Sequence, residues 1–225
     1  MTLAPFEIPL WADLTAVGIG ALQGAMFAGR LKERRLDLLG VALIGILVGL
    51  GGGLLRDILL NQLPAAMKTN WYLVVATLAA LLGMALLRVF TRLNPLIIAL
   101  DAVTIGLFAA IGTTKALAYG VPEVPAVFVG VVSAVGGSIL RDVSLNLPIA
   151  LMHVGSLYAV AAGAGTVLIV VLVALGANIT VAATTCVIVT TLIRLGSVRW
   201  GWSLPEQRAI ASWRVWRRTE RTARP

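Results

Sequence analysis

Two charged pairs set in apolar surroundings carry the chemistry of this chain, Arg56-Asp57 and Arg141-Asp142. Each follows a triplet of small residues, Gly51-Gly52-Gly53 in one case and Gly136-Gly137-Ser138 in the other. A guanidinium beside a carboxylate supplies no activated nucleophile, and neither stretch has metal-ligand spacing or the Lys-Ser/Thr that ends a phosphate-binding loop. What the pairs offer is fixed charge with hydrogen-bonding groups around it. Unpaired charge and unsatisfied backbone are both costly in hydrocarbon, and their joint appearance twice marks a functional centre. Three adjacent small residues cover every face of a helix, so the triplets predict broken or kinked helices. The carbonyls so freed, with the Ser138 hydroxyl, are hard oxygen ligands suited to a cation or to a zwitterion's ammonium group.

The elements that must position these residues follow from composition. Of 225 residues, 59% are hydrophobic and 12% charged, with a mean hydropathy of +0.96. Soluble domains are about 45–50% apolar and about 25% charged. This is an all-α, polytopic membrane protein. Apolar windows of about 17–25 residues predict seven transmembrane helices, at roughly 10–29, 38–60, 71–90, 96–117, 122–144, 154–175 and 178–198. The triplets fall in the second and fifth.

The net charge of +8 could suggest nucleic acid, but the basic residues edge the apolar segments, and a membrane surface explains them better. Arg30, Lys32, Arg34 and Arg35 follow the first span, Arg88 and Arg92 the third, and Arg194, Arg199, Arg208, Arg214, Arg217, Arg218, Arg221 and Arg224 end the chain. The alternate connections carry only Lys68 and Lys115. The positive-inside rule therefore places the N-terminus outside and the C-terminus in the cytoplasm. No cleavable signal peptide is read, since no Lys or Arg precedes the first span. The single cysteine, Cys186, excludes an intrachain disulfide and is expected to pack in the core. No catalytic set appears, and neither enzyme activity nor a cofactor or metal is expected.

The chain also repeats itself. Gly51 and Gly136, Arg56 and Arg141, and Asn61 and Asn146 are each 85 positions apart, while Asp13 and Asp101 are 88 apart at the starts of spans one and four. Residues 10–90 and 95–175 read as two copies of a three-helix unit, followed by a seventh helix at 178–203 and a basic tail at 204–225. Three crossings turn the second copy upside down, an inverted repeat whose interface near the midplane is where transporters place their sites. That inversion sets Arg56 at the depth of Asp13 and Arg141 at the depth of Asp101, and predicts those two pairings. Asp57 and Asp142 are alternative partners. The pairs either hold and gate the fold, or an Arg lines a permeation path. Lys115 reads as an interfacial anchor or a gating residue. Trp11, Trp71, Tyr72, Trp200 and Trp202 suit an aromatic belt, His153 an inert loop, and the tail, with Trp213 and Trp216, an anionic lipid surface. Gly45, Gly49, Gly106, Gly130, Gly163 and Gly165 are assigned to close helix packing.

The two motifs, with Ala28-Gly29-Arg30 leading into Leu36-Asp37 and Asp101-Ala102 opening the fourth span, resemble a bacterial inner-membrane family with two glycine-transporter domains. That family is similar in turn to the trimeric intracellular cation (TRIC) channels. The resemblance spans residues 10–203 and implies a homotrimer in a bacterial plasma membrane. It implies one pore per subunit in a 3+3+1 arrangement, with helices kinked at Gly51, Gly52, Gly53, Gly136, Gly137 and Ser138. It further implies passage of monovalent cations, potassium ahead of sodium, with Arg56 and Arg141 on the pore side. Ser138 stands where many relatives have a third glycine. A secondary transporter of glycine or another small neutral amino acid is the rival reading, and a scaffold without a permeant is a third.

Overall fold

The computed structural model describes residues 8–31, 35–89, 94–152 and 157–203. Lys32, Arg34, Arg92, His153 and the tail at 204–225 lie outside them. The helices are α1 (Leu10–Ala28), α2 (Leu38–Leu59), the short α3 (Ala65–Lys68), α4 (Trp71–Val89), α5 (Asn94–Ala118), α6 (Glu123–Ser144), α7 (Tyr158–Ala174) and α8 (Ile179–Trp200), with a 3-10 turn at Ala150–Met152. Helices α1, α2, α5, α6 and α8 are long and apolar enough to cross a membrane, and α4 and α7 are shorter apolar helices. The chain is a multi-pass helical membrane protein. Helix α1 packs on α2 and α4, α5 on α6 and α8, and α7 on α8 and α6; α2 and α6 join the two halves.

Local sequence sets the helix ends. Asp37 caps α2 by accepting from Gly40 N at 2.6 Å, and Asn178 caps α8 by accepting from Thr180 N at 2.8 Å. Asn61 and Asn146 follow α2 and α6 in the left-handed region, at φ 51° and 48°, where asparagine is among the few tolerated side chains. Replacing Asp37 by Ala should lower stability by about 1 kcal/mol, read as a shift in thermal unfolding in detergent.

The core is built from small residues. Ala16, Ala21, Ala25, Ala80, Ala109, Ala126, Ala161 and Ala162 are fully buried, whereas Leu39, Leu43, Leu78, Phe128, Ile188 and Leu192 face outward. Lipid tails solvate leucine as well as a core does, so small residues, which let backbones touch, take the interior. Cys186 lies in this core as expected.

Of the break or kink predicted at the triplets, the break is not there. Helix α2 runs unbroken through Gly51-Gly52-Gly53, and α6 through Gly136-Gly137-Ser138. The Ser138 hydroxyl donates to Val135 O of its own helix at 2.8 Å. The triplets serve a crossing. A Cβ on Gly52 would collide with the Ser133 carbonyl, and one on Gly137 with the Val48 carbonyl. A Cβ on Gly51 would lie 2.7 Å from Leu140 Cδ1, and one on Gly136 2.7 Å from Leu55 Cδ1. Each contact has its counterpart 85 positions along, so the two helices meet as near-equivalents. Gly53 is different, since an added Cβ would have only Arg56 Nη2 within reach, at 3.7 Å. Of the glycines assigned to packing, Gly45, Gly49, Gly106, Gly130 and Gly165 abut neighbouring helices, but Gly163 faces open space.

Candidate functional site: two ion clusters flanking a helix crossing

One turn beyond the crossing on α2, Arg56 is fully buried and clamps Asp57, with Nε to Oδ1 at 2.8 Å and Nη2 to Oδ2 at 3.2 Å. Its Nη1 reaches Asp13 Oδ1 on α1 at 3.5 Å, and Tyr72 of α4 donates to Asp13 Oδ2 at 2.8 Å. Lys115 of α5 lies 2.8 Å from Asp57 Oδ1, and Ala65 N, opening α3, donates to Asp57 Oδ2 at 2.7 Å. Asp57 thus holds two cations and the loop after its own helix. The expected Arg56–Asp13 pairing is present, but Asp57 is the closer partner. Lys115, read from sequence as an anchor or gate, is an ion-pair member.

The second cluster repeats this plan on α6 with changed members. Arg141 Nε and Nη2 lie 2.8 and 2.7 Å from Asp142 Oδ1, and Ala150 N donates to Asp142 Oδ2 at 2.9 Å. Tyr158 of α7 donates to Asp101 Oδ2 at 2.6 Å, as Tyr72 does to Asp13. The predicted Arg141–Asp101 pair is replaced. Asp101 meets Arg194 of α8 at 3.5 Å and accepts from Gln23 Nε2 at 3.4 Å, while the Arg141 guanidinium lies over the Phe27 ring at 3.9 Å. A second cation has entered from outside the repeat. Phe27 occupies the place that corresponds, 88 positions back, to Lys115.

Sequence reasoning missed five of these side chains, Phe27 among them. It counted Arg194 with the loop charges, but the residue is 7% exposed and stacks on the Tyr158 ring at 3.7 Å. It set Tyr72 in an aromatic belt, whereas Tyr72 is buried, and it gave Tyr158 and Gln23 no role. The tyrosines had a signal: they lie 86 positions apart, between the two offsets of the repeat.

The two ends of the crossing are not equally open. Gln23, Phe27, Arg30, Asp101, Arg141, Tyr158 and Arg194 are among the residues lining a cavity of about 310 Å³. At the other cluster, Asp13, Gly53, Arg56 and Tyr72 border a void of only about 10 Å³, room for one water at most. The space beside Arg141 is thus far larger than the one beside Arg56.

Comparison with known proteins fits this arrangement. The glycine transporter family model matches residues 10–88 and 98–174. The chain belongs to the glycine transporter family. Among its relatives in that family, a UPF0126 membrane protein of Vibrio cholerae serotype O1 is 35% identical over 196 residues, 86% of this chain and 80% of that one. The UPF0126 inner membrane protein YadS of Escherichia coli K12 is 33% identical over 199 residues, covering 87% and 94% of the two chains. A structure of the TRIC trimeric intracellular cation channel orthologue from Rhodobacter sphaeroides superposes with a TM-score of 0.78 at 29% identity, covering 86% of this chain and 98% of that one. A second TRIC cation channel structure gives 0.76 at 28%, covering 89% and 98%. This glycine transporter family member has the TRIC channel fold.

Proposed function

We propose that the chain is a cation channel of the bacterial inner membrane, preferring potassium over sodium and working as a homotrimer with one pore per subunit. The observation that carries this reading is the cavity that runs to a buried ion cluster beside the α2–α6 crossing, in a fold shared with TRIC cation channels. The four cluster carboxylates, Asp13, Asp57, Asp101 and Asp142, each have a cationic or hydroxyl partner. An ion passing them meets dipoles and partly neutralised charge rather than a free carboxylate. Weak-field ligands of that kind favour the more readily dehydrated potassium ion.

In this reading seven helices cross the membrane as two inverted units, 10–90 and 95–175, followed by the helix at 178–203. The roomier Arg141 end faces the cytoplasm together with the tail, and the N-terminus lies outside. Arg56 and Arg141 flank the path, and the triplets let α2 and α6 bend when the Arg56 end opens.

Unequal space at the two ends is also what a carrier of glycine shows in one of its alternating states, and that observation keeps the second reading in play. Purified protein in liposomes and planar bilayers, offered potassium, sodium and labelled glycine separately, decides. The channel reading requires unitary potassium currents larger than those in sodium. Saturable glycine uptake without unitary currents would overturn it.

A further inference from the structure

Two arginines near the floor of the 310 Å³ cavity are held very differently. Arg141 sets two nitrogens on Asp142 at 2.7 and 2.8 Å and covers one face with Phe27. Arg194 meets its carboxylate only at 3.5 Å, on an oxygen that already accepts from Tyr158 at 2.6 Å. Its Nε is buried and has no hydrogen-bond partner among the described residues. Short charge-assisted contacts quench a charge locally, and a long single contact does not. The Arg194 field therefore spreads into the cavity. Stacking on Tyr158 at 3.7 Å keeps the guanidinium in place, and α8, which carries it, lies outside both segments that match the family model, 10–88 and 98–174.

We infer that Arg194 is the specificity-determining residue of this cavity. It sets the electrostatic potential there and so, if the channel reading holds, the threshold a cation meets at this mouth. Without it, Asp101 stays bonded to Tyr158 and Gln23, and the floor of the cavity becomes one charge more negative.

The test reads the potential directly. Ile98, which lines the cavity, is changed to Cys in a Cys186→Ala background, so that the introduced thiol is the chain's only one. Its modification rates are measured with an anionic and a cationic thiosulfonate reagent, on protein in liposomes. Adding Arg194→Gln should lower the anionic-to-cationic rate ratio by about tenfold or more, as expected for one charge a few ångströms away at intermediate dielectric. Arg194→Lys should preserve the ratio. Arg194→Met, which retains an unbranched stem against Tyr158, gives the same readout if the Gln variant does not fold.

In planar bilayers, Arg194→Gln should raise unitary potassium conductance about twofold at 0.1 M salt, an effect that fades at 1 M as screening shortens. A rate ratio unchanged within about twofold, in protein that still conducts, overturns the role of Arg194 and leaves the channel reading standing. A fallen ratio in protein without unitary currents does the reverse.

Discussion

Replacing Asp57 by Asn should lower the stability of the folded chain by about 3–5 kcal/mol, the usual loss when one member of a buried ion pair is removed. The carboxylate faces Arg56 Nε and Lys115 Nζ at 2.8 Å each and accepts from Ala65 N at 2.7 Å. An Asn side chain matches its shape and could still accept one of those bonds. It cannot offset two cations, which would then share one buried site with only Asp13 opposite. Reversible unfolding of the purified protein in mixed micelles measures the loss. The double variant Asp57→Asn/Lys115→Met removes the excess charge and should recover part of it, a coupling seen only between groups that interact directly. A single variant within about 1 kcal/mol of the parent would remove Asp57 from the centre of the cluster.

The second large effect concerns the crossing. Gly52→Ala should destabilise by about 3 kcal/mol, at the upper end of overpacking effects, because the added methyl meets the Ser133 carbonyl. A side chain could rotate away from such a clash, but backbone within a packed helix cannot. Gly137→Ala meets the Val48 carbonyl in the same way and should behave alike. Gly53→Ala is the control, one residue along and turned about 100° away from the crossing. With nothing closer than 3.7 Å, it should be neutral or should stabilise α2 by up to about 1 kcal/mol through helix propensity. If the two alanine variants, Gly52→Ala and Gly53→Ala, lost stability equally, the triplet would serve flexibility rather than contact. A Gly53→Ala protein that keeps its stability but alters its currents would place bending of α2 in the gating step.

These contrasts show what could be read before any fold was known. The doubled Arg-Asp motif, the equivalence of Asp13 and Asp101, and the matching of Asn61 with Asn146 all follow from offsets of 85 and 88, because duplication leaves its mark on spacing. The Arg56–Asp13 contact followed from depth alone. Arg194 could not be found that way, since it lies in a helix with no duplicate and looked like one more loop arginine. The glycine triplets were recognised and a break or kink was read for them, but their contact with a second helix was not. A sequence records that a side chain is missing, not whether the vacant space is filled by a bend or by another helix, and here Ser133 and Val48 backbone fills it. Lys115, read as an interfacial anchor or a gating residue, has a stem that lets its ammonium reach inward to Asp57.

The charges of the two clusters bear on what α8 contributes. With every group in its ordinary charged form, Asp13, Arg56 and Asp57 sum to one negative charge, and so do Asp101, Arg141 and Asp142. Neither set of three is neutral alone. The balancing cation comes from a further helix each time, Lys115 on α5 for the first cluster and Arg194 on α8 for the second. Helix α8, which lies outside both segments that match the family model, thus supplies the charge that balances the second cluster.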